Sequence, residues 1–152
     1  MSDSIQDAEL LYLDQQLCFR LYTASRLVIR AYQPLLRELD ITYPQYLVLM
    51  LMWEWRDKDQ SSGTVGQLGK RLQLDSGTLT PLLKRMESRG LVQRRRGEDD
   101  ERERHIELTD KAIVMRKQAS DWMRLAKESG KAGGIDLESL SRNLDLLVES
   151  FS

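Results

Sequence analysis

Residues 64–109 read TVGQLGKRLQLDSGTLTPLLKRMESRGLVQRRRGEDDERERHIELT, and this stretch decides the fold. TVGQLGKRLQL and SGTLTPLLKRMESRG are short amphipathic segments joined through Gln73, Leu74 and Asp75, the pattern of two helices meeting at a tight turn. Thr64 suits the N-cap of the first. Asp75 or Thr78 can cap the second, and Thr78 is favoured because it leaves Pro81 inside the first turn, where a missing N–H costs nothing. Gly90 suits the C-cap. LVQRRR and RHIEL then read as two strands around the charged tip GEDDERE, a two-stranded wing. Helix, turn, helix and wing together predict a DNA-binding unit whose second helix enters the major groove.

Outward from that core the chain is helical. Between Asp7 and Arg37 apolar residues return every three or four positions, at Leu10, Leu13, Leu17, Leu21, Ala24, Val28 and Leu35, which predicts one long first helix. Asp40, Thr42 and Pro44 mark its exit. PQYLVLMLMWEW, from Pro44 to Trp55, is apolar on nearly all sides and belongs at the buried centre, and RDKDQSSG after it reads as a loop. Downstream, Thr109 caps a helix reaching Glu128, with Ile113, Ala119, Trp122, Met123 and Ala126 inward, and SGKAGG forms a joint. Asp136 caps a last helix whose Leu137, Leu140, Leu144, Leu147 and Phe151 form a near-heptad stripe that needs a partner. The expected architecture is mainly α with a small two-stranded β wing. It is a single domain over residues 1–152, with a winged helix-turn-helix at 44–108 and dimerisation helices at 7–37 and 109–151.

Composition narrows the function. The 152 residues carry 23 basic and 24 acidic side chains, with 41% apolar residues but no run long enough to span a membrane and a polar, acidic start. A soluble, cytoplasmic protein is expected. One cysteine, Cys18, and one histidine, His105, leave no Cys/His zinc set, and no metal or cofactor is expected. Any redox chemistry rests on a single sulfur.

The balanced charge hides a patch. Between residues 64 and 96 lie Lys70, Arg71, Lys84, Arg85, Arg89, Arg94, Arg95 and Arg96 against only Asp75 and Glu87, so the rest of the chain is net acidic. A charge run is commonly just a solvated face. Here it coincides with the helix-turn-helix and wing, and Ser76, Thr78 and Thr80 add hydroxyls at the start of the second helix, so duplex DNA is the better reading. At the wing tip, Asp100, Arg102 and Arg104 form either a surface ion-pair cluster or an arginine, Arg102, placed for the minor groove and held by Asp100.

Cys18 has two readings on its residues alone, an inert small hydrophobe or a reactive sulfur. Cys18, Tyr22, Ser25, Ile29 and Tyr32 form one stripe, and ITYPQY adds Tyr43 and Tyr46. Phenols donating to the sulfur favour its thiolate. Tyr32 lies fourteen residues on, about 21 Å along a helix, so only a second subunit can bring it to Cys18. Two antiparallel first helices would then cross near Ser25.

Three blocks, LCFRLYTASR, LDITYPQYLVLMLMWE and LDSGTLTPLLKRMESRGLVQRRRGEDDERERHIELT, resemble the MarR family of winged-helix repressors, in its organic-hydroperoxide-sensing OhrR branch, over nearly the whole chain. The resemblance implies a homodimeric repressor that binds a pseudo-palindromic operator when reduced and lets go when oxidised. It makes Cys18 the peroxidatic cysteine and gives Tyr32 and Tyr43 of the partner subunit the role of hydrogen-bonding it, with Tyr22 nearby. Ser76, Thr78, Thr80, Lys84 and Arg85 fall on its recognition helix, Arg94, Arg95 and Arg96 on the first wing strand, and Asp100 and Arg102 on the wing motif. Some members carry a second, resolving cysteine. With none here, the sulfenic acid is expected to form a mixed disulfide with a low-molecular-weight thiol, or to overoxidise. Leu17, Phe19, Leu21 and Met50 are expected to line an apolar pocket that favours organic hydroperoxides. A repressor answering to an aromatic ligand with Cys18 inert, a thiol peroxidase, and a helical adaptor with no DNA role remain the alternatives.

Overall fold

The computed structural model describes residues 9–97, 104–128 and 133–152, and it breaks the expected first helix into three pieces. A 3-10 turn spans Leu13–Gln15, helix α1 spans Leu17–Ala31 and helix α2 spans Gln33–Glu38. Gln16 is extended, which ends the first piece. Pro34 stands in the first turn of α2, where it has no N–H to offer the carbonyl of Arg30, so the helical ladder is interrupted at Tyr32. Periodicity alone carried across both breaks because the apolar spacing of the sequence continues through them. Of the predicted apolar seam only Leu35 is buried, and Leu10, Leu13, Leu17 and Val28 remain exposed in the single chain.

Helix α2 ends with Asp40 in the left-handed region, φ 52°. The N–H groups of Asp40 and Ile41 turn back to the carbonyls of Arg37 (3.1 Å) and Leu36 (2.9 Å). Thr42 then opens α3 (Tyr43–Asp57) with a reciprocal cap. The Gln45 N–H donates to Thr42 Oγ1 at 3.4 Å, and the Thr42 N–H donates to Gln45 Oε1 at 2.9 Å. Helix α3 is the buried centre that its composition demands, with Val48, Leu49, Met52 and Trp53 nearly free of solvent. Each such side chain contributes about 1.5–3 kcal/mol relative to exposure. The Trp53 indole N–H reaches the Ala112 carbonyl at 2.9 Å, tying α3 to the start of α6 (Asp110–Glu128).

The predicted loop after α3 contains an element that the sequence reading missed. Ser62–Thr64 is a strand, β1, so the wing belongs to a three-stranded antiparallel sheet of order β1-β3-β2, with β2 at Val92–Arg96 and β3 at Arg104–Leu108. Three residues are too short to show alternation. Gly63 is what lets β1 in, since a Cβ there would lie 2.2 Å from Cζ3 of Trp55. Gly63 pairs with Ile106, and Arg94 pairs with Ile106 from the other side.

Helices α4 (Val65–Leu72) and α5 (Ser76–Ser88) form the helix-turn-helix. Thr64 caps α4 as expected, with Gln67 completing the capping box. The turn between them passes through Gln73 in the left-handed region, with the Leu74 N–H on the Gly69 carbonyl at 3.0 Å. The cap of α5 is Asp75, not Thr78, so Pro81 sits in the second turn and leaves the exposed Gly77 carbonyl without its usual helical donor. Gly90, φ 67°, ends α5 as anticipated. The Leu91 and Gly90 N–H groups close on the Met86 and Glu87 carbonyls, both at 2.9 Å.

The chain falls into two compact units that divide within α6, after Arg116. In the second, Asp136 caps α7 (Leu137–Ser150) as expected, its carboxylate accepting from the Ser139 N–H at 3.1 Å. Leu137, Leu140 and Leu144 are exposed, and Phe151 is 87% exposed. In α6 Ala119 is buried, whereas the predicted inward Met123 is exposed. No helix among the described residues is long and apolar enough to cross a membrane.

Candidate DNA-reading face and cysteine site

Asp75 fixes where α5 begins. Its carboxylate accepts from the Thr78 N–H at 2.8 Å and from the Thr78 hydroxyl at 3.1 Å. These two bonds, the backbone one first, hold its pKa below the usual carboxylate value. Folded below unfolded means that the cap stabilises above the unfolded pKa and is lost as pH falls through the folded one. Acid unfolding below about pH 4 is therefore expected to become shallower in Asp75→Asn, which still caps but cannot titrate. Melting curves at stepped pH check this, and an unchanged pH slope would count against it.

From that start α5 buries Leu79, Leu82, Leu83 and Met86 and turns Ser76, Thr78, Thr80, Lys84 and Arg85 outward. Lys84 and Arg85 are exposed and carry no ion pair among the described residues, and the same holds for Arg96 on β2. Arg95 lies 3.0 Å from Glu107 and remains largely exposed. Arg94 is held inward against Glu87. Arg104, not among the predicted contacts, stands directly opposite Arg96 across β2 and β3. Like charges in register repel, and the strand register that sets this pair could not be read from the sequence. Asp100 and Arg102 lie outside the described residues.

Cys18 is exposed, one residue into α1. Tyr22 follows one turn later, also exposed, with the Arg26 guanidinium 5.2 Å above its ring. Tyr32 caps the far end of α1, about 21 Å from Cys18 along the helix. There it meets Tyr43 and Tyr46 of α3, with ring centroids at 5.5 and 6.0 Å. Burial, and then the neighbouring Tyr32, push the Tyr43 and Tyr46 phenols above their ordinary pKa, so both stay protonated at neutral pH as hydrogen-bond donors. One chain thus brings the tyrosines together but leaves the cysteine at the opposite end. Of the predicted pocket, Leu17 is exposed, and Phe19, Leu21 and Met50 are half-buried.

A family model described as transcriptional regulator SarA/Rot matches residues 30–118. The organic hydroperoxide resistance transcriptional regulator of Bacillus subtilis (strain 168) is 46% identical over 138 residues, covering 91% of this chain and 90% of the relative. The chain belongs to the OhrR branch of the MarR family. The regulator also matches solved structures of AbfR from Staphylococcus epidermidis on DNA. The reduced form is 33% identical with a TM-score of 0.71, covering 94% of this chain and 97% of that one. The overoxidised form, also bound to DNA, is 32% identical with a TM-score of 0.72, covering 96% and 99%. The winged-helix fold is thereby shown, and the protein is a DNA-binding transcriptional regulator.

Proposed function

We propose that the regulator is a cytoplasmic homodimeric repressor that holds a pseudo-palindromic operator while Cys18 is reduced and releases it after oxidation by an organic hydroperoxide. The observation that carries this reading is the placement of an exposed Cys18 and a cluster of protonated tyrosines at opposite ends of one helix. Two α1 helices packed antiparallel would set Cys18 of one protomer beside Tyr32 and Tyr43 of the partner subunit. The exposed apolar residues of α1 and α7 supply the surface for that pairing. Two α5 helices spaced about 34 Å apart would then enter successive major grooves through Ser76, Thr78, Thr80, Lys84 and Arg85. Arg95 and Arg96 would lie along the phosphates, with Asp100 and Arg102 at the minor groove.

The chemistry balances without a cofactor. The thiolate sulfur attacks the terminal peroxide oxygen, the O–O bond breaks, and an alkoxide leaves to take a proton as the alcohol. The sulfenic acid then condenses with a small thiol, giving a mixed disulfide and water. The overoxidised form of AbfR is bound to DNA in its solved structure. Release here is accordingly assigned to the bulkier disulfide.

The test is binding of the purified protein to a labelled duplex from upstream of its own gene, followed by fluorescence anisotropy. Cumene hydroperoxide with free cysteine is expected to weaken binding by roughly 5- to 150-fold, the usual span of site-to-site coupling. Unchanged binding after verified oxidation of Cys18 would sink the reading.

A further inference from the structure

Arg94 belongs to the basic patch by sequence, yet its surroundings differ from those of its neighbours. In the β2–β3 ladder it stands opposite Ile106, which is fully buried, and two residues from buried Val92. Opposed residues of an antiparallel pair share a face, so the pleat turns Arg94 inward, whereas Gln93 and Arg95 face out. Its side chain is only 24% exposed. The guanidinium Nε lies 3.3 Å from Glu87 Oε2, in an ion pair too oblique to be a hydrogen bond. Nη2 lies 3.4 Å from the Thr80 carbonyl, and the Arg94 backbone N–H donates to Glu87 Oε1 at 3.3 Å. One residue of the wing strand thus grips α5 at two places about two turns apart.

Glu87 is placed against both local fields. It is a carboxylate in the last turn of α5, at the negative end of the helix, on a segment otherwise rich in arginine and lysine. Lysine or arginine there would suit the helix terminus and DNA alike. What a carboxylate gains at this position is Arg94.

We propose that Arg94 is a positioning residue, which with Glu87 locks the DNA-reading helix to the wing, and not a phosphate contact. The inference rests on the reading of α5 as the element that enters DNA. Removing either partner loosens the angle between α5 and the wing, so both losses weaken operator binding. Neither removes a counterion-releasing contact, so neither changes how binding responds to salt.

The experiment measures operator affinity of the full-length protein across a potassium chloride series for Arg94→Ala, Glu87→Ala, the double variant and Arg85→Ala. The two single variants should each bind roughly tenfold more weakly at every salt concentration, and the double no more weakly than either, as coupled residues behave. The slope of log affinity against log salt should equal wild type for all three, whereas Arg85→Ala should flatten it by about 0.9 for each lost phosphate contact per site. A flattened slope in Arg94→Ala, with Glu87→Ala binding as well as wild type or better, overturns the proposal and makes Arg94 a phosphate ligand. Wild-type affinity and slope in Arg85→Ala would defeat the reading of α5 as the DNA-reading helix, and the inference with it. Arg94→Lys guards against a folding artefact. It keeps the charge but loses the fork, so a strut predicts weakened binding and a phosphate contact predicts near wild-type affinity.

Discussion

Cys18→Ser is expected to bind the operator fragment within about twofold of wild type and to ignore organic hydroperoxide altogether. Cys18 is exposed, and none of the described core packs on it, so exchanging sulfur for oxygen leaves the fold and the DNA-reading face in place. The hydroxyl cannot form a sulfenic acid or a disulfide, so the whole release is lost rather than a fraction of it. Operator binding before and after cumene hydroperoxide with cysteine is the measurement. Release that persists in this variant would move the sensing chemistry away from the only sulfur able to form a disulfide. A variant that no longer binds DNA when reduced would assign Cys18 a structural role instead.

The second large effect is on stability. Gly63→Val is expected to lower the unfolding midpoint by roughly 6–12 °C, from a penalty near the top of the overpacking range, about 3 kcal/mol. Valine suits a strand, so propensity alone favours the exchange. Geometry forbids it. The new Cβ would meet Trp55 Cζ3 at 2.2 Å and Cη2 at 2.8 Å, in a ring that is itself buried at the end of α3. Moving the ring disturbs α3, and moving β1 breaks its pairing with β3. In a Trp55→Ala background, itself destabilised by the lost ring, Gly63→Val should cost markedly less than it does in wild type. A midpoint unaffected by Gly63→Val would mean that the strand does not approach the indole this closely.

What was legible in the sequence follows from which forces are local. The buried α3, the Thr64 cap and Gly90 could all be read because each depends on residues within a few positions of one another. The breaks in the first helix were hidden because the apolar period runs on past Gln16 and Tyr32, although Pro34 was a visible warning. Strand β1 was invisible because its reason lies in its pairing with Ile106, far away in the chain, and in a fold-back onto Trp55 that no periodicity announces. Choosing Thr78 as the cap put proline preference ahead of carboxylate capping, and Asp75 prevailed because its two oxygens satisfy both the amide and the hydroxyl of Thr78. The separation of Cys18 from Tyr32 was legible, since a helix's rise alone sets it. The difference between Arg94 and Arg95, adjacent and chemically identical, needed the register of the sheet.

Asp40, Asp59 and Gln73 close three of the helix exits in left-handed geometry without being glycine. A β-carbon at such a corner narrows the range of backbone angles open to it, in the folded chain and in the unfolded one. The corners therefore behave as brackets and not as hinges.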